Sequence, residues 1–128
     1  LITKVSDLML FGDDIPAVQD SDTIMDAIIE MSRVGIGLVC VKAEEKMVGL
    51  FTDGDLRRAL EKNRQLTDPI KILELPSDFK SFVGNDLATD CLLAMTSYGF
   101  QSGPVFDDSN CLVGVINVRM ILQSGVST

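Results

Sequence analysis

The sequence predicts an α+β fold made of two copies of one small module, each running helix, strand, strand, helix. Three observations predict it. Met31 and Gly35 recur as Met95 and Gly99, an offset of 64 residues, while Val48-Gly49 recurs as Val113-Gly114, an offset of 65. The chain therefore reads as a duplication with one residue gained in the second copy's turn. Ile24, Ala27, Ile28 and Met31 fall on one stripe of an α-helix, and Ala88, Cys91, Leu92 and Met95 repeat that stripe. After each of the two glycines the pattern changes to a pair of short apolar runs about a polar turn, as in a β-hairpin. A ferredoxin-like split βαβ domain is the structural alternative, but it predicts no second copy of the Val-Gly-apolar-apolar element. The repeat divides the chain into modules at 1–64 and 65–128.

Each module opens on a short segment, Asp7-Leu8-Met9 or Lys71-Ile72-Leu73, and passes through a polar loop to its first helix. Thr23 and Asp26 have capping-box spacing, in which a hydroxyl and a carboxylate satisfy exposed amides at a helix start. Gly35 and Gly99 suit the left-handed residue that ends such helices. The first strands are expected at Leu38 to Val41 and Pro104 to Phe106, the turns at Lys42 to Lys46 and Asp107 to Asn110, and the second strands at Met47 to Thr52 and Leu112 to Asn117. Final helices follow at Asp53 to Glu61, with Leu56, Ala59 and Leu60 at helical spacing, and at Val118 to Gln123. Neither module has enough residues to bury both faces of its hairpin, so the two are expected to pack together.

The chain has 128 residues, 46% hydrophobic and 23% charged, enough for one core or two small fused ones. It starts at Leu1 and lacks the basic-then-apolar run of a secretory signal, so a piece of a longer protein is expected. Charges interrupt every apolar run well short of the roughly 20 residues that span a bilayer, which argues against a membrane segment. A net charge of −8 argues against a nucleic-acid partner, whose phosphates require clustered Lys and Arg. Cys40, Cys91 and Cys111 form no metal or redox spacing. Cys40 and Cys91 read as core thiols, and a reducing, cytoplasmic setting fits. The chain has no histidine, so the commonest metal ligand and general base is missing; no metal site and no catalytic residue is assigned.

Chemistry concentrates where the second strand runs into the final helix of the first module. Thr52 and Asp53 are both N-cap candidates, the amides of the first turn at Gly54, Asp55 and Leu56 suit an anion, and Gly54 leaves room for a ligand near the backbone. Asp55 follows Thr52 by three residues, which brings a carboxylate suited to a ribose diol to the same mouth, and Arg57 and Arg58 add positive charge. The structural alternative is that Thr52 and Asp53 only cap the helix, Asp55 complements its dipole and the arginines are solvated.

A duplicated helix-strand-strand-helix with Gly-apolar-apolar-Thr-x-x-Asp after the second strand resembles the CBS module over the whole chain. The resemblance implies two modules in a pseudo-twofold pair, with clefts that bind adenine nucleotides or related ligands through Thr52 at phosphate and Asp55 at ribose. The longer run from Val48 to Leu60, with Thr-Asp-Gly-Asp-Leu-Arg-Arg inside it, resembles the arabinose 5-phosphate isomerases of the sugar-isomerase/CBS family in particular. So does the ending from Leu112 to Asn117 with Leu122 to Val126.

The second module departs from this pattern. Thr52 maps to Asn117 and Asp55 to Met120, so the second site lacks the ribose-binding carboxylate. Arg119 beside it either holds an anionic group or faces solvent. Phe100, Ser102, Gly103 and Pro104 match a CBS region that contacts a base through its backbone, or else simply make a turn and start a strand. The ligand-binding candidates are therefore Thr52, Asp53, Gly54, Asp55, Arg58, Ser102, Gly103, Pro104, Asn117 and Arg119.

The resemblance further implies an N-terminal sugar-isomerase domain elsewhere in the protein, interconverting ribulose 5-phosphate and arabinose 5-phosphate for the Kdo branch of lipopolysaccharide synthesis. The chain itself is expected to be non-catalytic and to require no cofactor. An adenine or cytidine nucleotide, or CMP-Kdo, is the expected regulatory ligand. A homodimer through the CBS pairs, within a tetrameric parent, is the expected assembly. Three other readings stand beside this: the CBS pair of another nucleotide-regulated protein, an assembly module that binds nothing, and a free-standing small enzyme, which lacks a paired nucleophile and base.

Overall fold

The computed structural model of the protein describes residues 2–127. In chain order the elements are α1 (Val5–Leu8), β1 (Ala17–Gln19), α2 (Ile24–Val34), β2 (Leu38–Ala43), β3 (Lys46–Thr52), α3 (Asp53–Glu61), β4 (Phe82–Val83), α4 (Ala88–Tyr98), β5 (Ser102–Phe106), β6 (Leu112–Asn117) and α5 (Val118–Gln123), with single 3-10 turns at Gly12–Asp14 and Ile70–Ile72. They form two compact units, one of Pro16–Phe79 and one of Leu1–Ile15 with Lys80–Thr128. Each has one three-stranded sheet, ordered β1-β2-β3 and β4-β5-β6.

The main helices form where the apolar stripes place them. Thr23 caps α2, its hydroxyl accepting from the Asp26 amide at 3.1 Å while Asp26 Oδ2 accepts from the Thr23 amide at 3.0 Å. Gly35 and Gly99 end α2 and α4 in the left-handed region, at φ 78° and 75°, and each amide returns to the carbonyl four residues back. In the Pro16–Phe79 unit Ile24, Ala27 and Met31 of α2 meet Val39 and Val41 of β2, Phe51 of β3 and Ala59 of α3. In the other unit Ala88, Cys91, Leu92 and Met95 of α4 meet Val105, Ile116 and Ile121. Leu60, placed on the apolar stripe by its spacing, is instead 52% exposed.

Each unit adds a strand that the repeat does not reveal. β1 pairs in parallel with β2, Ala17 opposite Cys40, and β4 pairs in parallel with β5, Phe82 opposite Val105. A strand of two or three residues is too short to show a period of two, so the module runs strand, helix, strand, strand, helix. The first hairpin turn is also shorter than expected, since β2 continues to Ala43 and only Glu44 and Glu45 connect it to β3. Glu44 takes φ 56°, and the Gln19 side chain holds it by accepting from the Glu44 amide and donating to its carbonyl, each at 2.9 Å.

The compact units are offset from the repeat boundary at residue 64. Val5 and Ser6 donate their amides to the carbonyls of Asp86 and Gly84, and Leu10 exchanges both backbone hydrogen bonds with Val115. Val5 is completely buried in the core beside α4. The segment after α3 does the same for the first sheet: Ile70 and Lys71 donate to Asp22 and Asp20, Ile24 and Met25 donate to Asp68 and Leu66, and Ile70 is buried beside α2. Each module's lead-in segment is thus built into the other module's core.

Candidate functional site

The start of α3 gathers Thr52, Asp53, Gly54, Asp55 and Arg58. Thr52 is the last residue of β3, opposite Leu38 in the register with β2, and the chain turns there directly into helix. Its amide and its hydroxyl both donate to Asp55 Oδ2 at 2.9 Å, and the Asp55 amide points back at Thr52 Oγ1 at 3.4 Å. Arg58 Nη2 donates to the remaining oxygen, Asp55 Oδ1, at 2.6 Å. Asp55 is only 8% exposed, so this carboxylate is removed from water and compensated by two amide or hydroxyl donors and one guanidinium.

The capping alternative is realised for Thr52, with Asp55 as its reciprocal partner, but Asp53 is the first helical residue rather than a cap and Arg58 is ion-paired rather than solvated. The open space expected over Gly54 is taken by Arg58: a Cβ at Gly54 would lie 3.4 Å from both terminal nitrogens of that guanidinium. Asp53 is exposed and faces the Gly37 backbone, where a Cβ would lie 3.6 Å from Asp53 Oδ2.

Ser102, Gly103, Pro104, Asn117 and Arg119 come together in the other unit. Ser102 stands opposite Asn117 across β5 and β6, and Asn117 Nδ2 donates to Ser102 Oγ at 2.7 Å. Asn117 Oδ1 accepts from the Arg119 amide at 2.8 Å and so caps α5. The Arg119 residue is exposed, whereas Gly103 and Pro104 are buried, and a Cβ at Gly103 would meet the Phe82 ring at 3.1 Å. Met120, in the position of Asp55, packs against the core.

Burial pushes the Cys40 and Cys91 thiols up to about 12, which keeps both protonated and unreactive near neutral pH. Cys111 is exposed. One group of residues escaped the sequence reading. Lys62, Arg64, Glu74 and Leu75 join Asp55 and Arg58 around a recess of about 140 Å3 beside α3. The run Arg57, Arg58, Lys62, Arg64 in an acidic chain was the available signal.

Comparison with known proteins bears on the family and the fold. The family model "CBS domain" matches residues 5–62. The chain is 37% identical over 127 residues to arabinose 5-phosphate isomerase GutQ of Salmonella typhi, a match covering 98% of this chain and 39% of that protein. The chain thus spans about two fifths of the length of the curated relatives it matches. Among solved structures, the CBS domain pair of protein MJ0100 in complex with 5'-methylthioadenosine and S-adenosyl-L-methionine is similar with a TM-score of 0.79 and 21% identity, covering 98% of this chain and 97% of that one. CBSX2 in complex with AMP is similar with a TM-score of 0.78 and 17% identity, covering 96% of each chain. The chain is a pair of CBS domains, and within the CBS family its sequence is similar to the CBS region of the arabinose 5-phosphate isomerases.

Proposed function

We propose that this CBS pair is the regulatory part of an arabinose 5-phosphate isomerase, binding a nucleotide or nucleotide-sugar and passing that signal to a separate, N-terminal sugar-isomerase domain. The observation that carries the reading is the buried Asp55 carboxylate at the mouth of α3, next to Thr52 and Arg58. An adenine or cytidine nucleotide offers Asp55 a ribose diol and offers Thr52 and the amides at the start of α3 a phosphate. Two structures of the same fold, solved with adenosyl ligands or AMP, support that ligand class. CMP-Kdo, the activated product of the pathway this isomerase would feed, is the logical feedback signal, and a cytoplasmic location follows from that pathway. Ser102, Gly103, Pro104, Asn117 and Arg119 form the second candidate site, which lacks a carboxylate because Met120 replaces it.

A ligand that binds one state of the full protein more tightly shifts its activity by linkage. A thermal-shift screen of this chain against AMP, ADP, ATP, CMP, CMP-Kdo and arabinose 5-phosphate tests the reading, since a ligand selective for the folded state raises its melting temperature. One nucleotide class is expected to do so, and calorimetry on Asp55→Ala is expected to weaken it by about tenfold or more. Unchanged affinity in that variant removes Asp55 from the site.

A second reading, an assembly module that forms a homodimer within a tetrameric parent, is favoured by Ile29 and Leu93. These residues lie 64 apart on α2 and α4 and are 61% and 55% exposed. A dimer in light scattering together with no thermal shift at millimolar ligand selects this reading over sensing.

A further inference from the structure

Asp55 has one oxygen outside the helix cap, Oδ1, and Arg58 holds it. A ribose diol that donates both of its hydroxyls to this oxygen uses both of its lone pairs and so takes the place of Arg58. The guanidinium it releases is already 63% exposed and needs a new partner to offset the lost ion pair. A neutral nucleoside supplies none, whereas a phosphorylated one supplies an anion whose oxygens match the planar fork. The recess beside α3 can receive that anion, because the Lys62 ammonium and the Arg64 guanidinium line it with Arg58 and have no hydrogen-bond or ion-pair partner among the described residues. Cations near the end of a helix also complement its dipole, which accounts for Lys62. It does not account for Arg58, whose side chain reaches back to the first turn, nor for Arg64, which lies beyond the helix end. Glu74 is the one carboxylate of the lining not already compensated, so the recess is net cationic.

We propose that Arg58 is an exchange residue that trades Asp55 for a ligand phosphate and, with Lys62 and Arg64, makes this site select phosphorylated nucleotides over nucleosides. The proposal rests on the nucleotide-binding reading above. Calorimetry with AMP and adenosine on the unaltered chain and on Arg58→Gln tests it. The unaltered chain is expected to prefer AMP by about tenfold or more, and Arg58→Gln to bring the two affinities close together by weakening AMP and leaving adenosine equal or tighter. A preference that survives in Arg58→Gln overturns the proposal. If Arg58→Gln does not fold, Lys62→Gln/Arg64→Gln, at two exposed positions, is expected to lose part of the preference, and an unchanged ratio overturns the proposal equally. If neither ligand binds the unaltered chain, the adenine form of the nucleotide reading fails, CMP and cytidine take the place of AMP and adenosine in the same comparison, and inorganic pyrophosphate decides the recess alone. Broadening of its phosphorus resonance by the unaltered chain, lost in Lys62→Gln/Arg64→Gln, supports the anion recess, and no broadening overturns it.

Discussion

The two modules solve the same local problem, a strand that turns straight into a helix, in different ways. In the first, Thr52 faces the apolar Leu38 and is closed from the other side by Asp55, which in turn is held by Arg58. In the second, Asn117 faces Ser102, bonds to it, and caps α5 through the Arg119 amide without help from a carboxylate. The backbone frame is common, and what differs is where the cap finds its partner: one residue chain reaches forward into the helix, the other sideways across the sheet. A carboxylate in the first turn is therefore not required by the fold. Its presence at Asp55, buried and held by Arg58, is what sets the first module apart as the better candidate for ligand chemistry.

The largest expected effect tests the exchange of lead-in segments. Ile70→Ala opens a cavity in the core beside α2 and is expected to cost about 3 kcal/mol, and Val5→Ala, which removes one carbon fewer, about 2 kcal/mol. Hydrogen exchange should loosen 24–34 in the first variant and 88–98 in the second. The opposite assignment would mean that each segment serves its own half of the repeat.

Next in size is the pair of matched strand glycines. A Cβ at Gly114 would lie 2.7 Å from the Leu10 carbonyl oxygen and 2.4 Å from the Met9 sulfur, whereas at Gly49 the nearest atom, Leu75 Cβ, is 3.3 Å away. Gly114→Ala is expected to lose about 2 kcal/mol in urea titration and Gly49→Ala about 0.5 kcal/mol or less. Equal losses would show that Met9 and Leu10 yield as easily as Leu75.

The two caps come third. Thr52→Ala removes a cap and leaves Asp55 with one donor fewer, an expected loss of about 1.5 kcal/mol; Asn117→Ala, with no buried charge depending on it, should lose about 1 kcal/mol. If Asn117→Ala proved the costlier of the two, the bond to Ser102 would outweigh the buried carboxylate.

The smallest effect depends on pH. Glu30 accepts from the Arg33 guanidinium and from the Ala17 amide at 3.1 Å, while the second module has Ala94 in its place. Arg33 chiefly, and then the Ala17 amide, hold the Glu30 carboxyl below its ordinary value against the opposing effect of burial. A depressed folded-state pKa contributes stability above the unfolded value and loses it as pH falls through the folded one. Glu30→Gln should therefore lower stability by about 0.5 kcal/mol at pH 7, and the difference should vanish in acid. A difference that persists below that range would assign the effect to packing rather than charge.

How much of this could be read in advance depends on length and on locality. α3, β6 and α5 span the residues their patterns mark, because a cap or a hairpin end bounds each of them within a few residues. β1 and β4 could not be read, since a strand of two or three residues carries no period and gains its stability only from a parallel neighbour distant in sequence. The homes of Val5 and Ile70 were equally hidden: a repeat identifies equivalent residues, not which copy each one packs against. At the candidate site the Thr52-x-x-Asp55 spacing disclosed the cap. The hold of Arg58 on Oδ1, and the approach of 73–75 to α3, arise only once the helix exists and the chain has returned to it.

The exchange of lead-in segments also orders the assembly of the chain in time. The Pro16–Phe79 unit is one continuous stretch, so its contacts can form as soon as that stretch is available. The other unit must join residues near the start of the chain to residues from Lys80 onward, closing a loop of 64 residues at an entropic cost on the order of 3–4 kcal/mol before Val5 finds its core. Folding should begin in the middle of the sequence and finish at its ends, with a nucleus in the unit that carries Asp55 and the slow step in the unit that does not.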